Sequence, residues 1–322
     1  MLRIALALLL AVTAWGQGVD LPSPGPASTN FLQTLQIDPE RRLLLEQKVA
    51  AKDYAAAEDL LAEEARRDPK SQAILVVLAN VLFLDGRHLN CIVVLKKAEK
   101  LAPLDEKNRL LLALSYVTIG RRNLARPEFD KLAEANPANA LYPYWLGRLA
   151  YRKMDLTSAI AHAKKAIALD PLFMKAYDQL GLYYQAAGNW DEAIAAFREA
   201  IRLNAQAAAP SPWAPFNMGL LMMRMEKLEE AEAQFRASLK ITEAFPPAHY
   251  RLGQTLEKQG RIDHARAELE RAIALDPTYP DPHYALARIY RRSGDTKSAA
   301  SELKLFQNLR EADKRNGTIR PE

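Results

Sequence analysis

The sequence predicts an all-α protein built from helix–turn–helix hairpins, and three observations predict it. Ala57, Cys91, Ala125, Ala159 and Ala193 stand 34 residues apart, and after one step of 38 Ala231, Ala265 and Ala299 resume that spacing. Four residues beyond each comes a mostly larger slot: Leu61, Leu95, Phe129, Ala163, Phe197, Phe235, Leu269 and Leu303. A small and a large residue at i and i+4 share one helix face, so helices approach closely at the first and fill space at the second. Pro69, Pro103, Pro137 and Pro171 keep the same 34-residue spacing, with Pro277 further on. A proline there stops a helix, because it lacks the amide donor and clashes inside one.

The elements follow in order. Residues 1–16 read as a secretory signal peptide: Arg3, an apolar run over 4–12, then small residues ending in Ala14-Trp15-Gly16 as a cleavage site. Val12-Thr13-Ala14 is a second cleavage choice. The run is too short to cross a bilayer comfortably, and no Cys follows it to carry a lipid. Residues 17–37 hold Pro22, Pro24, Gly25 and Pro26 and read as a flexible linker. An array over 38–315 comes next, with hairpins starting near Asp38, Gln72, Glu106, Ala140, Met174, Pro212, Pro246 and Pro280. Residues 316–322 are left as a loose tail.

Within the array, a close-packing slot on each first helix holds Leu45, Ala79, Ala113, Gly147, Gly181, Gly219, Gly253 and Ala287. Turns inside hairpins fall at Gly86, Gly120, Gly188, Gly260 and Gly294, with Met154 and Glu226 as exceptions. The first hairpin has the weakest pattern, since Lys48 and Lys52 replace expected apolar or turn residues. The slip from 34 to 38 places extra residues in 204–212; residues 204–209 could extend the second helix by about one turn before Pro210 and Pro212 stop it, and the insertion is either a tolerated loop or a functional hinge. Residues 297–315 form a last long helix with Leu303, Phe306 and Leu309 inward.

Residues 174–207 carry the clearest unit. Tyr177, Leu180, Gly181 and Tyr184 form Y-x-x-L-G-x-x-Y, Gly188 marks the turn, and Ala193, Phe197 and Ala200 form A-x-x-x-F-x-x-A. This resembles a tetratricopeptide repeat, with Tyr177 where Trp is usual and Ala205 where Pro is usual. The resemblance covers residues 38 to 313. It implies a right-handed superhelical solenoid of about eight hairpins, and a protein that offers interaction surfaces rather than a reaction.

No chemistry competes with that expectation. His88, His162, His249, His264 and His283 form no metal-ligand motif, and no phosphate loop or nucleophile elbow is present. No catalytic residue, cofactor or metal is therefore expected. Cys91 is the only cysteine, which excludes an intrachain disulfide, and its slot is that of the packing alanines. The net charge of +5 permits nucleic-acid binding electrostatically, but an export signal removes the chain from nucleic acid.

In proteins of the resembled family the first helices line a concave groove. The matching phases here are Tyr144, Arg148, Tyr151 and Arg152; Lys175, Asp178 and Gln179; Trp213, Phe216, Asn217 and Arg224; Tyr250, Arg251 and Gln254; and Tyr284, Arg288, Arg291 and Arg292. Arg with Tyr or Trp is the composition of binding hot spots. Arg grips a carboxylate with two hydrogen bonds, and aromatic rings pack the chain between. The expected partner is a protein or peptide, acidic or with a free C-terminal carboxylate. The expected role is an exported scaffold in envelope assembly, periplasmic or secreted. The alternatives are a self-associating structural protein (a homo-oligomer) or an accessory subunit of an envelope enzyme.

Overall fold

The computed structural model describes Leu32 and residues 35–316. The predicted signal peptide, most of the linker and residues 317–322 lie outside the described residues. Among the described residues there are sixteen α-helices and no strand. The chain divides between Leu149 and Ala150 into two compact units.

The N-terminal unit holds hairpin one (Pro39–Ala50, Tyr54–Arg67), hairpin two (Gln72–Leu84, His88–Leu101) and hairpin three (Glu106–Thr118, Arg122–Ala135). The first helix of hairpin four, Leu141–Tyr151, runs across the division. The C-terminal unit holds the second helix of hairpin four, Leu156–Leu169, and hairpin five (Met174–Ala187, Trp190–Asn204). Hairpins six (Trp213–Arg224, Leu228–Ile241), seven (Pro246–Lys258, Ile262–Leu275) and eight (Pro280–Arg292, Thr296–Asn316) follow. Consecutive helices pack on each other inside each unit. In the C-terminal unit the first helices of hairpins five to eight also touch in succession.

The hairpins close around the small slots. Ala57, Cys91, Ala125, Ala159, Ala193, Ala231 and Ala265 are fully buried, and Ala299 nearly so. Opposite them the first helices carry residues that leave no room for more. A Cβ on Gly181 would stand 2.5 Å from Phe197 Cε1, one on Gly219 2.7 Å from Phe235 Cε1, and one on Gly253 2.8 Å from Leu269 Cγ. The aromatic ring thus lies directly on helix backbone. Phe197 and Phe235 are fully buried there, which stabilises each hairpin by roughly 2–3 kcal/mol.

The turns share one conformation. Gly86, Gly120, Gly188, Gly260 and Gly294 are left-handed, and so are Lys52 (φ 58°), Met154 (φ 59°) and Glu226 (φ 60°). Every hairpin therefore turns at the same register, whether or not glycine occupies it. The reason is a C-terminal cap: Gly188 N–H donates to Gln185 O and Asn189 N–H to Tyr184 O, while Glu226 and Lys227 repeat the pattern on Met223 and Met222. These bonds satisfy the last carbonyls of the first helix and demand positive φ at the turn. Hairpin one closes in the same way despite its weak sequence pattern. Asp53 accepts from Lys48 Nζ at 3.0 Å, and Arg41 of its first helix reaches Glu63 and Glu64 of its second, each at 2.6 Å.

The four-residue slip is a loop and not an added helical turn. The helix ends at Asn204 because that side chain folds back on the chain. Its Nδ2 donates to Ser211 O at 2.8 Å and its Oδ1 accepts from Ser211 N–H at 2.7 Å. Asn204 is buried, and residues 205–210 outside this clasp are exposed. Such local side-chain bonds compete with helix propagation. Ser238 Oγ then donates to Pro212 O at 2.8 Å, which anchors the loop exit to hairpin six.

Two stability measurements check this account by denaturant unfolding. Gly181→Ala should lose about 1–3 kcal/mol from overpacking, although alanine is the better helix former by about 1 kcal/mol. Glu226→Gly should gain about 0.5–1 kcal/mol. A non-glycine left-handed residue costs roughly 1–2 kcal/mol, and glycine's extra unfolded-state freedom returns part of that.

Candidate functional site

The predicted surface residues separate by burial. In the N-terminal unit Tyr144 is buried, and Arg148 is half-exposed above it. The Arg148 guanidinium lies 4.5 Å from the Trp145 ring centroid and 5.7 Å from that of Tyr144, with Nη1 donating to the Tyr144 hydroxyl at 3.5 Å. Trp145 is itself stacked on Phe129 of the same unit at 5.7 Å. This side of the unit is a cation–π pair on a buried aromatic base. In hairpin two, Asn80 Nδ2 donates to Val76 O and Asn108 Oδ1, so its amide is committed to the scaffold.

In the C-terminal unit four of the expected groove residues are buried: Asp178, Phe216, Asn217 and Tyr250. Their helical phase faces the neighbouring hairpin and not solvent. Asp178 accepts from Asn217 Nδ2 at 3.0 Å, a bond between the first helices of hairpins five and six. Phe216 sits edge-on to Trp213 at 5.6 Å and to Phe245 at 5.3 Å. Tyr250 packs on Tyr279 at 5.3 Å, and burial pushes its phenol up to about 12.

Other residues do reach the surface. Tyr151 is half-buried against Tyr183 at 4.9 Å, and Gln179 accepts from the Tyr183 hydroxyl at 3.3 Å. Lys175 and Trp213 are half-buried, and Arg152 and Arg224 are exposed. Arg224 lies over Trp190 at 5.5 Å. On hairpin seven a short chain of bonds orients one cation. Gln254 Nε2 donates to Tyr250 Oη at 2.7 Å, and Arg251 Nη1 donates to Gln254 Oε1 at 3.0 Å. The guanidinium also lies 5.2 Å from the Tyr250 ring. Arg251 is half-buried, and the bond to Gln254 together with the Tyr250 ring restricts the orientation of its guanidinium.

Hairpin eight corrects the expected charge. Glu257, absent from the sequence-based set, is buried between the first helices of hairpins seven and eight. Arg288 grips it with Nε at 2.9 Å and again with Nη2, and Arg292 Nη1 lies 3.4 Å away. The hydrogen bonds that Arg288 donates to the Glu257 carboxylate push the Arg288 pKa up. These two arginines therefore neutralise a carboxylate of this chain. Glu257 occupies the repeat position of Tyr151 and Arg291, both in the expected set, so the period could have marked it. Arg291 and Tyr284 are exposed on the same helix.

Among the described residues no group of three or more His, Cys, Asp or Glu side chains is placed to hold a metal ion. No described helix is long and apolar enough to cross a membrane. Cys91 is fully buried, accepts from Ser115 Oγ at 3.5 Å, and is pushed up to about 11 by burial.

Comparison with known proteins agrees with the hairpin geometry. Residues 110–172 and 174–207 match tetratricopeptide repeat models, and residues 258–294 match a TPR repeat model. No curated protein matches the chain. Among solved structures, yeast Tom70 is similar with a TM-score of 0.61 at 19% identity, over 81% of this chain and 56% of that one. PilF of Pseudomonas aeruginosa has a TM-score of 0.57 at 21% identity, over 63% and 90%. PilW, described as a type IV pilus biogenesis factor, has a TM-score of 0.57 at 18% identity, over 63% and 92%. At these identities the likeness is one of fold.

Two outcomes follow from the site. Arg288→Ala leaves the buried Glu257 carboxylate with Arg292 alone, and should cost about 1–3 kcal/mol in an unfolding titration. Arg291→Ala, on the same helix but exposed, should cost under about 0.5 kcal/mol. In a thiol-labelling assay at pH 8, Cys91 should stay unreacted in the folded chain and label fully in denaturant, since it is buried and almost wholly protonated.

Proposed function

From a chain that carries tetratricopeptide repeats at 110–172, 174–207 and 258–294, we infer an exported, non-catalytic scaffold for protein–protein interaction. Repeats of this kind stack into extended surfaces suited to partner binding. We place the binding surface on the first helices of the C-terminal unit. Its partner is an extended segment that is acidic or ends in a free carboxylate. The observation that carries this reading is the Tyr250–Gln254–Arg251 chain, which holds a partly exposed guanidinium in a set orientation. A cation that is already oriented loses less freedom when it grips a carboxylate. Trp213, Gln179 and Lys175 supply aromatic and polar contact on neighbouring first helices. Export to the periplasm or beyond, and a role in envelope assembly, rest on the basic, apolar and small-residue pattern of residues 1–16.

Fluorescence anisotropy with an acidic peptide bearing a free C-terminal carboxylate tests the surface. Arg251→Ala should weaken binding at least about tenfold without changing helical circular dichroism, and amidating the peptide should weaken it too. An affinity untouched by Arg251→Ala would refute the assignment.

A further inference from the structure

The repeat exposes at its two ends what it buries everywhere else. One slot of the first helices reads Leu44, Leu78, Leu112, Leu146, Leu180, Met218, Leu252 and Leu286. The last seven are buried, but Leu44 is 40% exposed, and Leu43 beside it is 56% exposed. At the other end Tyr284 is 45% exposed, although its counterparts Tyr250 and Phe216 one and two hairpins earlier are buried. The reason is positional. Phe245 and Tyr279, at the entry to the next hairpin, cover Phe216 and Tyr250, whereas Tyr284 meets Phe306 of its own hairpin at 5.2 Å; among the described residues no hairpin precedes hairpin one or follows hairpin eight.

Contacts inside the units give the register of that packing. Asp178 of hairpin five bonds Asn217 of hairpin six. Counting along the repeat, the Asp178 position in hairpin eight is Tyr284, and the Asn217 position in hairpin one is Leu43. Glu257 of hairpin seven pairs with Arg288 of hairpin eight. The Glu257 position in hairpin eight is Arg291, and the Arg288 position in hairpin one is Glu46. Asn80 of hairpin two bonds Asn108 of hairpin three. Those positions become Arg288 in hairpin eight, already held by Glu257 of its own chain, and Glu40 in hairpin one. Each pair, carried over to the ends, is complementary: apolar on apolar, and cation on carboxylate with the sign reversed from the Glu257–Arg288 pair. The wider charge agrees. Residues 38–71 carry nine carboxylates against seven cations, and residues 280–316 eight cations against five carboxylates.

We propose that copies of this chain associate end to end, with hairpin eight of one seated on hairpin one of the next in the register that hairpins use within each unit. Tyr284 packs on Leu43 of the partner subunit, and Arg291 pairs with Glu46 of the partner subunit. Because the two surfaces differ, the contact is heterologous, and each added copy leaves one end open to another until a ring closes, so assembly continues beyond a dimer. This surface is separate from the Arg251 surface and stands whether or not that reading holds.

Sedimentation velocity and light scattering of the purified full-length chain over a concentration series test it. The mean mass should rise with concentration past that of a dimer and fall as salt screens the ion pair. Leu43→Arg, Glu46→Arg and Arg291→Glu should each weaken association at least about tenfold. All three positions are outside the buried core, so circular dichroism should be unchanged. The reciprocal change Glu46→Arg with Arg291→Glu should restore association, and so should mixing the two single variants. A chain that stays monomeric, one that stops at a dimer, or association indifferent to these substitutions would overturn the proposal.

Discussion

Hairpins five, six and seven each rest on a contact between a side chain and bare backbone. At Gly181 the ring of Phe197 occupies the volume a methyl group would need. Gly219 and Phe235 repeat the arrangement, and Gly253 repeats it with Leu269. Close approach sets the distance between paired helices, and that distance decides where the next hairpin can pack. Interiors at crystal-like density transmit such a constraint, since a misfit of one carbon has no void to absorb it. The period of 34 is the sequence record of this constraint. It appears as small residues at Ala57, Ala125 and Ala193 because a larger side chain at those points would separate the helices. Hairpin one, with Leu45 facing Leu61, obtains the same closure from two fully buried leucines and from the Arg41 ion pairs.

What the sequence made legible follows the same physics. The all-α hairpin fold was legible because close packing restricts residue type at fixed intervals. The turns were legible from glycine at five positions and from the period alone at Met154 and Glu226. Lys52, Met154 and Glu226 adopt the same left-handed backbone at a modest energetic cost, so no residue preference betrays them. The surface was less legible. A first helix is covered by its own hairpin partner and by the hairpins before and after, so neighbouring helical phases pass from groove to core within one residue. Tyr144, Asp178, Phe216, Asn217 and Tyr250 fall on the buried side of that line, while Arg251 and Gln254 fall on the other. Their side chains are of types that serve either place, so composition did not separate them.

Electrostatics also reads differently in three dimensions. A count of arginines along the first helices suggests a continuous basic strip. Glu257 interrupts it by engaging Arg288 and Arg292, and a buried carboxylate of this kind organises the cations around it. On the proposed reading, recognition on the C-terminal unit would depend less on net charge than on the orientation of individual donors. Arg251 has that orientation from Gln254 and Tyr250 and keeps it without a ligand. A site of this character discriminates by geometry, and added salt weakens it less than it weakens a diffuse basic patch.

The clasp between Asn204 and Ser211 separates chain length from architecture. Two hydrogen bonds fix the stem, and the six residues 205–210 bulge outward with no side chain in the core. Hairpin six therefore meets hairpin five as any other pair meets, although the spacing between their equivalent residues is 38 and not 34. The loop behaves as an expansion joint. Length added there costs only a few tenths of a kilocalorie in closure entropy, because that cost grows as the logarithm of loop size. A lineage of such chains can gain or shed residues at this one place, or carry a foreign peptide on it, while every helix keeps its neighbours.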